Sequence, residues 1–140
     1  MDAPRLFTVL EAEATLPLVR RIVGDLLATY PRWREAVATY EVLTGAARDT
    51  ETPELRAARE AVTIAAELIN TCLLELEQIG CSFKGFEAGL VDFYALRDDR
   101  LIYLCWQFGE DRIRHWHEVD AGFADRQPIV AHPLQEHLTS

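Results

Sequence analysis

Residues 55–79 carry an unbroken alternation of three- and four-residue steps between apolar positions: Leu55, Ala58, Val62, Ala65, Ile69, Cys72, Leu76 and Ile79. An α-helix turns every 3.6 residues, so such a series falls on one side of it and on no single face of a strand. Both ends are marked. Thr52 can cap the first turn, Pro53 suits a position whose amide proton is not needed, and Gly80 suits the left-handed residue that stops a helix. A second seam of the same spacing precedes it: Val19, Ile22, Leu26, Thr29, Trp33, Ala36, Tyr40 and Leu43. Each segment covers about 27 residues, or roughly 40 Å at 1.5 Å per residue. The short polar link between them, residues 45–52, implies an antiparallel hairpin with knobs-into-holes packing.

Prolines interrupt this pattern. Pro31 lies inside the first seam, where it deletes an amide donor and crowds the preceding turn, which predicts a kink or break near Thr29 and Tyr30. Upstream, Thr8 and Glu11 have capping-box spacing and Phe7 can staple against Ala12, so a short helix is expected to start there and be redirected at Pro17. Leu18, Val23, Leu27, Leu68 and Leu73 widen the apolar stripe beyond what two helices cover. Either the C-terminal half or a second copy of the chain must shield the excess.

After Gly80 the period changes. Runs rich in β-branched and aromatic residues, 81–87, 90–96, 101–108 and 112–118, are separated by Asp98-Asp99 and Gly109-Glu110-Asp111. They predict an antiparallel meander, and with the helices an α+β fold: a long helical hairpin packed on a small sheet. One domain is expected, with a helical half over 5–80, a meander and loop over 81–128, and a tail over 129–140. A two-residue turn at Asp98-Asp99 pairs Ala95 with Ile102, Phe93 with Leu104 and Val91 with Trp106, all on the face toward the helices. The other face then holds Asp92 beside Cys105 and Tyr94 beside Tyr103, and is apolar enough to be a candidate dimer surface. The last strand has two registers. A three-residue loop sets His115 opposite Cys105 and His117 opposite Tyr103, gathering Asp92, Cys105, His115 and His117, but turns Arg112, Arg114, Trp116 and Glu118 toward the helices. A one-residue shift keeps the arginines outside, and burial cost favours the shift.

The chain has 23 acidic and 14 basic residues, a net charge of −9, which disfavours a phosphate backbone as partner. No apolar run is long enough to span a membrane, and residues 1–5 lack the layout of a secretion signal. Cys72, Cys81 and Cys105 are too few and scattered for a disulfide framework, which points to reduced thiols and a cytoplasmic setting.

His115-Trp116-His117-Glu118, followed by Asp120, is the densest set of potential metal ligands. Residues i and i+2 of a strand point the same way, so His115 and His117 could share a divalent ion with a carboxylate completing the set. The plain alternative is a hydrogen-bonded pair of sheet histidines. Cys105 sits in the apolar run Leu101–Trp106, where burial silences a thiol, so a structural cysteine is the expectation. In the loop Asp120–Pro128, Arg126 could clamp a carboxylate or phosphate, or could pair with Asp120 or Glu118 to fix the chain where it leaves the sheet. His132 and His137 fall in a polar tail.

Several blocks resemble an uncharacterised prokaryotic family, the domain of unknown function numbered twenty-two hundred and three. They are Arg5-Leu6-Phe7-Thr8 with Glu11-Ala12 and Leu16-Pro17, then Gly89–Phe93, Tyr103–Trp106 with Gly109-Glu110, and Trp116–Glu118 through Asp120, Gly122-Phe123 and Arg126–Pro128. The resemblance covers about residues 5–130. It implies a helical hairpin joined to a small sheet and brings no activity. It does not require histidine at 115, and so points to His117, Glu118, Asp120 and Arg126 as ligand-binding residues. No cofactor is assigned beyond a possible divalent metal.

The leading expectation is therefore a non-enzymatic homodimer that holds a small molecule or protein partner near the loop after the last strand. The rival is a metal-dependent hydrolase in which His117, Glu118 and Asp120 hold an ion that activates water.

Overall fold

The computed structural model describes residues 4–47 and 50–129. The expected tail beyond 129, with His132 and His137, and the link residues 48–49 lie outside the described residues. Two helices, α1 (Val9–Ala47) and α2 (Pro53–Ile79), pack against each other. They are followed by β1 (Cys81–Phe83), β2 (Leu90–Arg97), β3 (Arg100–Gln107), β4 (His115–Glu118), a 3-10 turn at Phe123–Asp125, and β5 (Gln127–Pro128). The five strands form one antiparallel sheet in chain order. The fold is α+β.

The ends of α2 fall where local chemistry puts them. Thr52 Oγ1 accepts from the Leu55 amide at 3.1 Å, Pro53 opens the helix, and Gly80 (φ 108°) donates its amide back to the carbonyls of Leu76 and Glu77. At the start of α1 the capping box closes both ways: the Glu11 amide donates to Thr8 Oγ1 at 3.0 Å, and the Thr8 amide to Glu11 Oε1 at 2.9 Å. All sixteen seam positions are buried or half-buried.

The expected break at Pro17 and kink or break near Pro31 do not interrupt the helix: α1 runs 39 residues through both prolines. Both rings lie on the exposed side. Each proline removes one amide donor from that side of the helix. Meanwhile Leu16, Val19, Ile22, Val23 and Leu26 keep one continuous face in the core across that region. Burial on the inner face outweighs two missing bonds on the outer one.

The β2–β3 hairpin has the register expected from its turn. Asp98 and Asp99 take positive φ (53° and 61°), as a tight primed turn requires, and Val91, Phe93 and Ala95 pair with Trp106, Leu104 and Ile102. These six side chains are fully buried in the core with Phe7, Leu16 to Leu26 of α1 and Leu76 of α2. Trp116 completes this face from β4. The excess apolar stripe is thus covered partly by the sheet, although Leu18 and Leu68 remain exposed.

The last long strand corrects the favoured register. His115 pairs with Cys105 and His117 with Tyr103, the unshifted arrangement. The penalty held against it does not arise, because β4 begins at His115 rather than Arg112. Arg112 and Arg114 stay in the preceding connection, exposed, where they pair with Glu13 and Asp111. Glu13 of α1 anchors that connection by also accepting from the Ile113 amide at 3.1 Å, and Ile113 is buried. Glu118, at the strand's end, escapes the core by pairing with Arg100 at 2.8 Å.

Candidate functional site: the outer face of the sheet

The face of the sheet turned away from the helices is not bare. After β4 the chain loops through residues 119–126 and returns as β5 beside β4, pairing His115 with Pro128 and Trp116 with Gln127. Val119, Ala121, Gly122 and Phe123 stand against the outer face and, with Lys84, Leu90, Asp92, Tyr103, Cys105 and His117, enclose a cavity of about 320 Å³. Asp92, Tyr103, Cys105 and His117 are buried within one chain. The expected dimer surface on this part of the sheet is therefore already occupied by the chain's own loop.

Three chemically active side chains meet at the cavity floor. Asp92 on β2 pairs with Cys105 on β3, His117 on β4 lies diagonally from Cys105 opposite Tyr103, and one ligand atom from each of the three lies within 4.8 Å of the others. His117 Nε2 faces Asp92 Oδ1 at 3.1 Å, and both side chains are 5% exposed. The other ring nitrogen, Nδ1, sits 2.8 Å from the Glu118 backbone carbonyl. A carbonyl oxygen only accepts, so Nδ1 carries a proton and donates it. Burial, then the neighbouring Asp92 carboxylate, push the Cys105 thiol up to about 12. Tyr103 donates to the Tyr94 hydroxyl at 2.9 Å, and its own ionisation is pushed up by burial and by that contact. Lys84 lies at the rim, its Nζ 5.0 Å from the Tyr103 ring centroid.

A second polar group holds the loop down. Arg126 donates to Glu110 Oε2 at 2.7 Å, to Gln107 Oε1 at 3.4 Å and to His115 Nδ1, and its guanidinium lies 4.9 Å from the Phe123 ring centroid. Glu110 in turn accepts from the Gln107 amide at 2.7 Å. Burial, and then the Arg126 charge, hold His115 below its ordinary value of 6.5. An imidazole that accepts a hydrogen bond from a guanidinium has to be neutral at that nitrogen.

The residues expected from sequence are thus divided. His117 is at the cavity floor. His115 shares its face but is engaged by Arg126. Glu118 points the other way and is held by Arg100, while Asp120 is exposed in the turn. His117, Glu118 and Asp120 do not converge: neighbours in a strand face opposite sides, which parts Glu118 from His117, and Asp120 lies in the turn beyond β4. Arg126 pairs with Glu110, not with Asp120 or Glu118. Asp92 and Cys105 are the members that the chosen register left out. Their signal was present: Asp92 is a lone carboxylate within Leu90–Ala95, and the Asp98-Asp99 turn already set it beside Cys105.

Among the described residues, no helix is long and apolar enough to cross a membrane. No curated protein and no solved structure matches the chain. Residues 5–129 match the family described as uncharacterized conserved protein (DUF2203), and to that family the chain belongs.

Proposed function

We propose that this protein is a binding module that takes a small polar ligand in the cavity between the outer sheet face and the 119–126 loop. The observation that carries this reading is the Asp92–His117 pair, buried at the floor of a concave space. Sinking a carboxylate and an imidazole costs several kcal/mol that an apolar pair of similar volume would avoid, at about the magnitude known for buried ion pairs. Polar groups retained at such a cost, converging on a cavity near the lower end of small-molecule pockets (~300–1,000 Å³), mark a ligand site. Lys84 at the rim favours an anionic ligand. A panel of small carboxylates, phosphates and nucleotides, screened by thermal shift, tests this. At least one class should stabilise the wild type and lose that effect in Asp92→Asn and Lys84→Ala. A panel without hits, or hits indifferent to both substitutions, refutes it.

We also propose that the working unit is a homodimer joined through the hairpin. Support comes from the distal hairpin, where none of the described α1 side chains from Tyr30 to Ala46 is fully buried. A groove of about 800 Å³, lined by Tyr30, Trp33, Val62, exposed Ala66, Ile69, Leu73 and Phe86, runs along it. A second hairpin fits because two such pairs close into a four-helix bundle. Light scattering should give a dimer that Ala66→Glu dissociates; a monomeric wild type at micromolar concentration overturns this. Hydrolysis by an ion on His117, Glu118 and Asp120 draws no support from their divergent placement. The net charge argues against a nucleic-acid partner. The free thiols of Cys72, Cys81 and Cys105 support a reducing, cytoplasmic setting.

A further inference from the structure

The hydrogen bonding of His117 poses a problem that points to a ligand. With Nδ1 donating to the Glu118 carbonyl, the neutral ring presents a bare lone pair at Nε2. That lone pair faces Asp92 Oδ1 at 3.1 Å, with both side chains 5% exposed. Two acceptors do not sit at this distance unless a cation stands between them. A proton can do so, and so can a metal ion. Three features favour the metal. A histidine whose outer nitrogen donates to a backbone carbonyl is held in the orientation usual for a ligating imidazole. The thiol of Cys105 is beside the same point, and all three ligand atoms lie within 4.8 Å of one another. Tetrahedral zinc, with bonds of about 2.0–2.3 Å, needs its donors roughly 3.3–3.6 Å apart, so modest side-chain rotation closes the set. Finally, carboxylate and thiolate together neutralise a divalent ion, so the buried site carries no net charge.

We propose that Asp92, Cys105 and His117 form a three-ligand site for zinc or a similar thiophilic divalent ion, with its fourth position open to the cavity. Nitrogen, oxygen and sulfur donors in one set suit zinc and its neighbours rather than magnesium or calcium, which take oxygen. On binding, the Cys105 S–H bond breaks, the sulfur electron pair forms the metal bond and the proton leaves to solvent. Three protein ligands with one open position is the pattern of a site that exchanges water for a further ligand. This inference rests on the cavity being a binding site, and it makes that ligand one with an anionic donor atom, which Lys84 would hold at its far end.

The test uses the full chain stripped with chelator and titrated first with Zn²⁺ against a chromophoric competitor, then with Co²⁺. One ion per chain is expected, with a thiolate-to-cobalt charge-transfer band in the near ultraviolet. Cys105→Ser should abolish the band, and it, Asp92→Asn and His117→Gln should each weaken zinc binding at least tenfold. Cys72→Ser should change neither. Absence of stoichiometric zinc binding by the wild type, or a band that survives Cys105→Ser, overturns the proposal without recourse to any variant's folding in the first case. Repeating the small-molecule panel on chelated protein separates the two readings. Hits that persist there alongside failed metal binding sink the metal site alone, whereas stoichiometric metal binding with no hit in either form sinks the small-ligand reading.

Discussion

Asp92→Leu leaves His117 Nε2 facing a methyl group where both side chains are 5% exposed. Removing one partner of a buried ion pair costs about 3–5 kcal/mol, and the Cys105 thiol loses its acceptor for about another 0.5–1 kcal/mol. Burying the leucine returns roughly 1.5–2 kcal/mol. The net expectation is a loss of about 1.5–4.5 kcal/mol, or close to 5–15 °C in Tm for a chain of this size. Asp92→Asn behaves differently, because its amide N–H can turn toward the bare Nε2; it should cost about 1 kcal/mol or less. The decisive variant is Asp92→Leu/His117→Leu, which removes both polar groups together. A matched apolar pair recovers most of the loss, leaving a coupling energy of about 2 kcal/mol or more between the two positions. Urea unfolding followed by circular dichroism, with chelator present, reads these differences as midpoint shifts at constant slope. A single Asp92→Leu loss below about 1 kcal/mol, or a double variant whose loss equals the sum of the singles, would refute the view that this pair is an energetically coupled, buried unit.

Two other outcomes follow from the geometry. Gly89 has φ +65°, and a Cβ there would lie 2.8 Å from Phe108 Cβ and 3.0 Å from Leu27 Cδ1, so Gly89→Ala should destabilise by about 2 kcal/mol or more in the same unfolding assay. Gly45→Ala, with open space around it inside α1, should instead stabilise by about 0.5–1 kcal/mol. For pH, burial and Arg126 keep His115 below 6.5 in the folded chain, so the unfolded chain takes up the proton first as pH falls. The stability His115 contributes is complete above pH 6.5 and is lost as pH drops below that through the folded value. Thermal unfolding at pH 7.5 and 5.5 should therefore show a smaller decline in His115→Gln than in the wild type; an equal decline would contradict the Arg126–His115 contact.

Some of this arrangement could be read locally and some could not. The span of α2 followed from Thr52, Pro53, Gly80 and a seam with no gaps, since caps and periodicity act within a few residues of themselves. The β2–β3 register followed from a two-residue turn, which leaves a hairpin no freedom to slip without exposing Phe93 and Leu104. The continuity of α1 was hidden, because a proline's local penalty says nothing of the core face that its helix shares with residues a hundred positions away. The start of β4 was hidden for the same reason. Whether Arg112 and Arg114 belong to the strand depended on Glu13, on another element, being there to receive the connection.

The candidate site divides along the same line. Its ingredients were legible: a solitary aspartate in an apolar strand, a cysteine on the neighbouring strand, and a histidine two residues before a chain reversal. Their convergence was not, because it needs two registers to be correct at once, and a slip of one residue sends His117 to the opposite face. By itself, the order of residues determined the helix seam, its caps and the first hairpin, because the interactions that settle those act between near neighbours. Only the tertiary structure decided that α1 would override its prolines, that β4 would begin late, and that a returning loop would close a pocket over Asp92, Cys105 and His117. Each of those choices is a balance of burial between segments far apart in the chain, and no local pattern carries both sides of it.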